Sequence, residues 1–258
     1  MLLETVLTLA LVLTLSAPAV AAAPADAPGT APKATPIPTQ DTIETSAGPL
    51  TLRFIGHGSL AFAFAGKTIY VDPYGKVGDY AAMPKADLVL ITHEHGDHLD
   101  PAALAAVAGP DTPLVVSEVV REKLGRGTAL KNGETTEVLG IPIAAVPAYN
   151  IKHKRDTGEH FHPKGRGNGY VLTFGDVRVY VAGDTEDIPE MAALAGVDVA
   201  FVPMNLPYTM TPEMAAAAGL TLQPKKALYP YHYGETDPAR LVELLAGSGI
   251  EVRVRDLR

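Results

Sequence analysis

Residues 86–92, ADLVLIT, form an almost unbroken apolar run, and the six residues that follow are HEHGDH. A short apolar run without alternation marks a strand buried on both faces, which requires covering layers on either side. The chain must therefore build a sheet with two protected faces and deliver a cluster of imidazoles and a carboxylate at one strand's C-terminal end. Histidine supplies only 8 of the 258 residues, so three of them within six positions call for a chemical cause. His93 and His95 are two apart, and in extended backbone such neighbours point to the same side and can reach a single ion. Gly96 lets the chain turn sharply, sending Asp97 and His98 towards a different point. The spacing thus suggests two adjacent metal positions. With no cysteine in the chain, any metal must be held by His, Asp, Glu or Asn.

The rest of the chain can supply the layers. Apolar residues make up 47% and charged residues 19%, enough for one large core or two small ones. Strands are expected at 50–56, 60–66, 67–72, 86–92, 113–117, 135–139, 141–147, 168–174, 177–182, 198–202 and 225–230. Helices are expected at 101–108, with Asp100 as N-cap and proline at the first position, and at 187–195, 211–219 and 237–247. Strands come first in a run and then alternate with helices. This order fits an α/β four-layer αβ/βα sandwich, two mixed sheets face to face with helices outside. The net charge of −8 argues against a nucleic-acid partner, which would require a basic face.

The first 43 residues have a different texture. Residues 6–15, VLTLALVLTL, followed by the small residues SAPAVAAA, read as a secretory signal peptide over residues 1–23, with Ala21 or Ala23 ending the cleavage site. The segment departs from the pattern in carrying Glu4 and no Lys or Arg before the apolar run. Residues 24–43, rich in Pro and Ala, read as a linker, and residues 44–258 as the folded domain. Export to the periplasm or medium is the expectation. An uncleaved membrane anchor is the alternative, although the run is shorter than the ~20 residues of a comfortable span.

Further ligand-type residues close other apolar strands. VYVAGDTED carries Asp184, and ALYPYHYGE carries His232. Ligands at the C-terminal ends of separate strands are the way sites gather in α/β folds. With these residues assembled, the chain resembles the metallo-β-lactamase superfamily. The His-x-His-x-Asp-His signature stands as His93, His95, Asp97 and His98, and the later GDT and PYH motifs bring Asp184 and His232. The opening hairpins, GHGSLAFAFAGKTIYVDP (residues 56–73), resemble the branch of ascorbate-phosphate lactonases and N-acyl-phosphatidylethanolamine phospholipases. The resemblance implies that His93 and His95 bind a first metal, that Asp97, His98 and His232 bind a second, and that Asp184 bridges the two. It also implies that Asp72 supports the metal loop from behind. His57, in the opening turn, is a further candidate.

One ligand is missing from the pattern. The family adds a third histidine to the first metal, and in AAVPAYN (residues 144–150) its place is taken by Asn150. Downstream, His153, His160 and His162 are available, with Asn150 itself or water as the remaining options. His162 is preferred, because Phe161 gives it an apolar neighbour and Pro163 a fixed turn.

Two ions ~3.5–4 Å apart share a water and lower its pKa to near 7, giving a bridging hydroxide able to attack an ester, lactone or phosphodiester. Zinc is the default ion by ligand type, with manganese or iron also compatible. Asp97 would ligate, orient the hydroxide and accept its proton. Residues 150–169 hold Lys152, Lys154, Arg155, Lys164 and Arg166 against Asp156 and Glu159, which would favour an anionic small-molecule substrate if the loop covers the metals. Asn205, Tyr208 and Thr209 are candidates to line the pocket. A β-lactamase is disfavoured by the absent cysteine ligand, the bridging aspartate and Asn150. A diiron reductase would carry a carboxylate where His95 stands. The remaining alternative is a non-catalytic metal- or partner-binding module.

Overall fold

The computed structural model describes residues 39–258. The expected signal segment, and the Pro/Ala-rich segment up to residue 38, lie outside the described residues. A seven-stranded sheet and a six-stranded sheet each place their strands in chain order, neighbour beside neighbour. The first comprises β1 (Gln40–Thr45), β2 (Gly48–Gly56), β3 (Ser59–Phe64), β4 (Lys67–Val71), β5 (Leu88–Ile91), β6 (Leu114–Val116) and β7 (Thr128–Ala129). The second comprises β8 (Thr135–Val138), β9 (Ile141–Ala148), β10 (Gly167–Phe174), β11 (Val177–Val181), β12 (Val199–Pro203) and β13 (Ala227–Tyr231). Each sheet opens as an antiparallel meander and continues in parallel: β1 to β4 and β8 to β11 are antiparallel, while β4 to β7 and β11 to β13 are parallel.

The layering follows from which side chains are buried together. Leu50, Leu52, Phe62, Leu88 and Leu90 of the first sheet share one core with Ile143, Tyr170, Leu172, Val179 and Phe201 of the second, so the two sheets face each other. Tyr70, Val89 and Ile91, on the opposite face of the first sheet, pack with Ala103, Leu104 and Val107 of α1 (Pro101–Val107) and Val120 of α2 (Glu118–Leu124). On the far face of the second sheet lie α3 (Pro212–Leu222) and α4 (Ala239–Leu244), which bury Ala215, Leu222 and Leu241. This is the expected arrangement of two mixed sheets between helices. All four residues of β5 are buried, as a strand covered on both faces demands.

Local signals act as expected at several ends. The Asp100 side chain accepts from the amides of Ala102 (2.9 Å) and Ala103 (3.2 Å) to start α1. Thr211 does the same for Met214 (3.2 Å) at α3. The hairpin at Gly175-Asp176 pairs Phe174 with Val177. Three features differ from expectation. Strand β1 begins at Gln40, inside the stretch read as linker, because its polar residues carry one core side chain, Ile43, whose place depends on pairing with Leu50. Helix α2 was not anticipated, since Val120 is its one buried residue and leaves no apolar periodicity to read. Residues 187–195 form a 3-10 helix over Pro189–Leu194 with no side-chain cap bond and only Met191 buried.

Phe201 of β12 ties the layers together. Its ring stacks on Tyr229 at 4.8 Å and meets Phe54 at 6.4 Å and Phe62 at 6.3 Å across the sheet interface. Phe201→Ala should therefore destabilise the fold by about 3–5 kcal/mol, measured by urea unfolding.

Candidate metal centre

The parallel halves of the two sheets carry the site. His93, His95, Asp97 and His98 follow β5, Asp72 follows β4, Asp184 follows β11, and His232 follows β13. Loops at the C-terminal ends of parallel strands point to one side, so residues distant in sequence converge there. Asp72, His57 and His232 hold left-handed backbone, at φ 45°, 53° and 46°. Such conformations are uncommon for non-glycine residues and gather where surrounding structure enforces them. Gly58 is needed for close approach, because a Cβ there would lie 2.8 Å from His98 Cε1 and 3.2 Å from His232 Cδ2.

Asp184 lies at the middle of the cluster. Its Oδ2 is 3.1 Å from His162 Nε2 and 3.8 Å from His93 Nε2, while its Oδ1 is 3.4 Å from His98 Nε2 and 3.7 Å from His232 Nε2. His95 Nδ1 lies 3.0 Å from His93 Nε2. Asp97 Oδ2 faces His232 Nε2 at 3.5 Å and His57 Nε2 at 3.1 Å. Ligand-type atoms of His93, His95, His162 and Asp184 lie within 4.8 Å of one another, as do those of His98, Asp184 and His232, and those of His57, Asp97 and His232. Every residue expected in the metal set is thus part of one constellation, and His57 joins it through Asp97.

The electrostatics of this constellation call for a cation. Nε2 of His98, Nε2 of His232 and Oδ1 of Asp184 are buried with no hydrogen-bond partner among the described residues. A buried polar atom without a partner is costly, and three facing one another would all be satisfied by one metal ion. Burial alone would drive His98 towards its neutral form, but Asp184 and Asp72 hold its pKa up to about 10. Burial also disfavours the Asp184 carboxylate, yet His232, His98 and His162 keep it well below the usual carboxylate range. His93 is pushed well below the usual range by burial and by the charge of His98. The carboxylates therefore compete for positive charge that a proton on His98 or a bound metal can supply.

Surrounding groups orient the imidazoles. Asp72, fully buried, accepts from the Thr92 amide at Oδ1 (2.8 Å) and from the Thr92 hydroxyl at Oδ2 (2.6 Å). Its Oδ2 also lies 2.8 Å from His98 Nδ1, and since a carboxylate only accepts, the proton sits on Nδ1 and Nε2 is left facing the site. Asp72 thus supports the ligand loop as the resemblance implied.

A second such arrangement links Asn150 and His162. Asn150 stands at the end of β9, and its Oδ1 accepts from the His162 amide (2.9 Å) and from His162 Nδ1 (2.6 Å). Its Nδ2 donates to Glu186 Oε1 (3.0 Å) and to the Tyr208 carbonyl (2.9 Å), which settles which end of the amide faces His162. Asn150 itself is turned away from Asp184 and aims His162 at it. His153 points elsewhere, with Nδ1 2.8 Å from Glu186 Oε1, and His160 belongs to a small hairpin bridge with Lys154.

Glu186 was not singled out from the sequence. It is fully buried and accepts from the consecutive amides of Ile151 (2.8 Å), Lys152 (2.7 Å) and His153 (2.7 Å). Burial opposes its ionisation, while Asn150 and those amides lower its pKa below the usual value. Its position two residues after Asp184 in GDTED was the one available hint. A cleft of about 420 Å³ opens beside the cluster, lined by His95, Asp97, Asp184, Arg155, Asn205 and Tyr208 among others. Thr209, expected at the pocket, is buried instead and accepts from the Asn205 amide (2.7 Å). A separate cavity of about 470 Å³, beside Arg53, Tyr70 and Met83 on the first sheet, holds none of these ligand-type residues. Because Glu186 satisfies three amides at once, Glu186→Ala should cost about 2–4 kcal/mol in urea unfolding and speed amide exchange at residues 151–153.

Residues 51–232 match the beta-lactamase superfamily domain. A UPF0173 metal-dependent hydrolase of Thermococcus onnurineus is 36% identical over 201 residues, covering 72% of this chain and 86% of that protein. A crystal structure of a Parabacteroides distasonis protein assigned to the metal-dependent hydrolases is 51% identical, with a TM-score of 0.81, covering 85% of this chain and 99% of that one. Igni18, a metallo hydrolase of Ignicoccus hospitalis, shares the fold at 24% identity and a TM-score of 0.68, over 81% of this chain and 95% of its own. Among the described residues no helix is long and apolar enough to cross a membrane. The family match spans most of the domain that carries the His and Asp cluster, and the chain belongs to the beta-lactamase superfamily as a metal-dependent hydrolase of the metallo-β-lactamase fold.

Proposed function

We propose that the cleft holds two divalent cations and hydrolyses an ester, lactone or phosphodiester bond in a small molecule. The observation that carries this reading is the division of Asp184. Its Oδ2 faces His93 and His162, and its Oδ1 faces His98 and His232. A carboxylate shared in this way suits two adjacent positions, one served by His93, His95 and His162, the other by Asp97, His98 and His232. Zinc is the ion proposed, since imidazole and carboxylate donors suit it, and manganese or iron would accept the same set. When bound, such a pair of ions brings a shared water to a pKa of about 7 and polarises the attacked oxygen.

The chain's own groups then do the rest. Burial disfavours ionisation of Asp97, but His232, His57 and His98 outweigh it and hold the carboxyl well below its usual range, so it is an anion at neutral pH. Its side chain is 34% exposed, in reach of the cleft. It can accept the proton of the attacking water at an Oδ while His57 Nε2 holds it in place (3.1 Å). Asn205 and Tyr208 line the same cleft, where they can contact a substrate. Export is also proposed, on residues 1–23 alone, and cell fractionation of the full chain checks it.

Metal analysis with a panel of ester, lactone and phosphodiester substrates tests the reading. The expected content is about two ions per chain, with turnover lost on chelation and in His95→Ala. His162→Ala should retain about one ion. Asn150→Ala should weaken metal retention about 10–100-fold, because the imidazole it aims is no longer oriented. One ion or none in the wild-type protein, with no turnover across the panel, would overturn the proposal. Hydrolysis of nitrocefin alone would point to β-lactams instead.

A further inference from the structure

The basic segment 150–169 spends its charge unevenly. Lys164 is paired with Glu190 (2.7 Å), and Arg166 with Glu94 (2.6 Å). Lys152 and Lys154 are exposed and do not line the cleft that contains Asp97 and Asp184. Arg155 is the cation of this segment that does line it. Among the described residues no carboxylate pairs with Arg155, although Asp156 and Glu159 belong to the same turn.

The turn holds Arg155 in place. Its amide donates to the Glu159 carbonyl (2.7 Å), its carbonyl accepts from the Gly158 amide (2.9 Å), and Lys154 bridges His160 beside it. Gly158 sits at φ +89°, a conformation the turn needs and a side chain would resist. The guanidinium lies 5.1 Å over the Phe161 ring and donates once, to the Phe161 carbonyl (3.4 Å). Phe161 in turn meets Tyr208 edge to face at 5.0 Å, and both rings line the same cleft. Arg155 is exposed, but this contact and the turn keep its guanidinium, a planar fork of donors that suits bidentate capture of an oxyanion, beside the Phe161 ring. Phe161 and Tyr208 share the wall of this cleft with the fork and with the histidine cluster.

We propose that Arg155 is a specificity-determining residue that binds an anionic group of the substrate, a carboxylate or phosphate separated from the scissile bond by an apolar spacer lying on Phe161 and Tyr208. The subsite rests on the cleft being the metal-dependent reaction site. It assigns the substrate to the class of amphiphilic anions, with one end at the cluster and the other at Arg155.

Binding of chain-length series to the zinc-loaded full-length protein tests the assignment by calorimetry. One series is of α,ω-dicarboxylates, a second is of ω-phosphonocarboxylates, and monocarboxylates of matching length are the reference. At one length a dianion should bind about tenfold more tightly than its monoanionic counterpart. That gain should vanish in Arg155→Gln, survive in part in Arg155→Lys, and persist in Lys154→Gln, which removes a neighbouring charge from the same turn. A larger gain in the phosphonate series assigns a phosphate to the subsite, and a larger gain in the dicarboxylate series assigns a carboxylate. No gain at any length, or a gain unchanged in Arg155→Gln, overturns the proposal. Turnover is not needed for this readout. A gain that depends on Arg155 without any hydrolysis would count against the proposed reaction and leave the subsite standing, and hydrolysis without the gain would do the reverse.

Discussion

The burial of Asp184 between imidazoles is the constraint from which the rest of the site follows. A carboxylate removed from water must be met by positive charge or by donors, and here four imidazole nitrogens surround its two oxygens. Facing atoms without hydrogen-bond partners, on His98, His232 and Asp184 itself, make the arrangement poor as a self-contained network. The same atoms make it a good one around metal ions. The sheets exist in a form that permits this, since only the convergent ends of parallel strands can bring residues 93, 184 and 232 within a few ångströms.

Orientation is supplied by polar groups that never face the cleft. Asp72 fixes the proton of His98 on Nδ1, and Asn150 does the same for His162. Glu186 secures Asn150 and three successive amides, so the loop that brings His162 is anchored to the same GDTED stretch that supplies Asp184. Each sheet thus carries its own orienting groups to the site, Asp72 on the first and Asn150 with Glu186 on the second. Asn150, at the place of the family's usual third histidine, orients His162 twelve residues downstream.

Much of this was legible because strong signals are local. The run at 86–92 is buried on both faces, the hairpin at Gly175-Asp176 forms, and Asp100 and Thr211 cap their helices. Weak amphipathic segments were not legible: α2 buries one residue, and residues 187–195 form a 3-10 helix over Pro189–Leu194 that buries only Met191. Strand β1 was hidden for a related reason, because a polar edge strand takes its identity from its partner. Thr209 looked like a pocket residue and is a buried support for Asn205.

By itself the sequence determined the ligand chemistry, the two-directional split of HEHGDH about Gly96, and the alternation of strands and helices. Those follow from residue type and spacing, which act over a few positions. Only the tertiary structure decided that His162 and not His153 faces Asp184, that Asn150 aims it, and that Arg155 meets no carboxylate among the described residues while Arg166 and Lys164 are paired. These outcomes depend on which partners a folded chain brings within range of Glu186, Glu94 and Glu190, and no local pattern carries that distance.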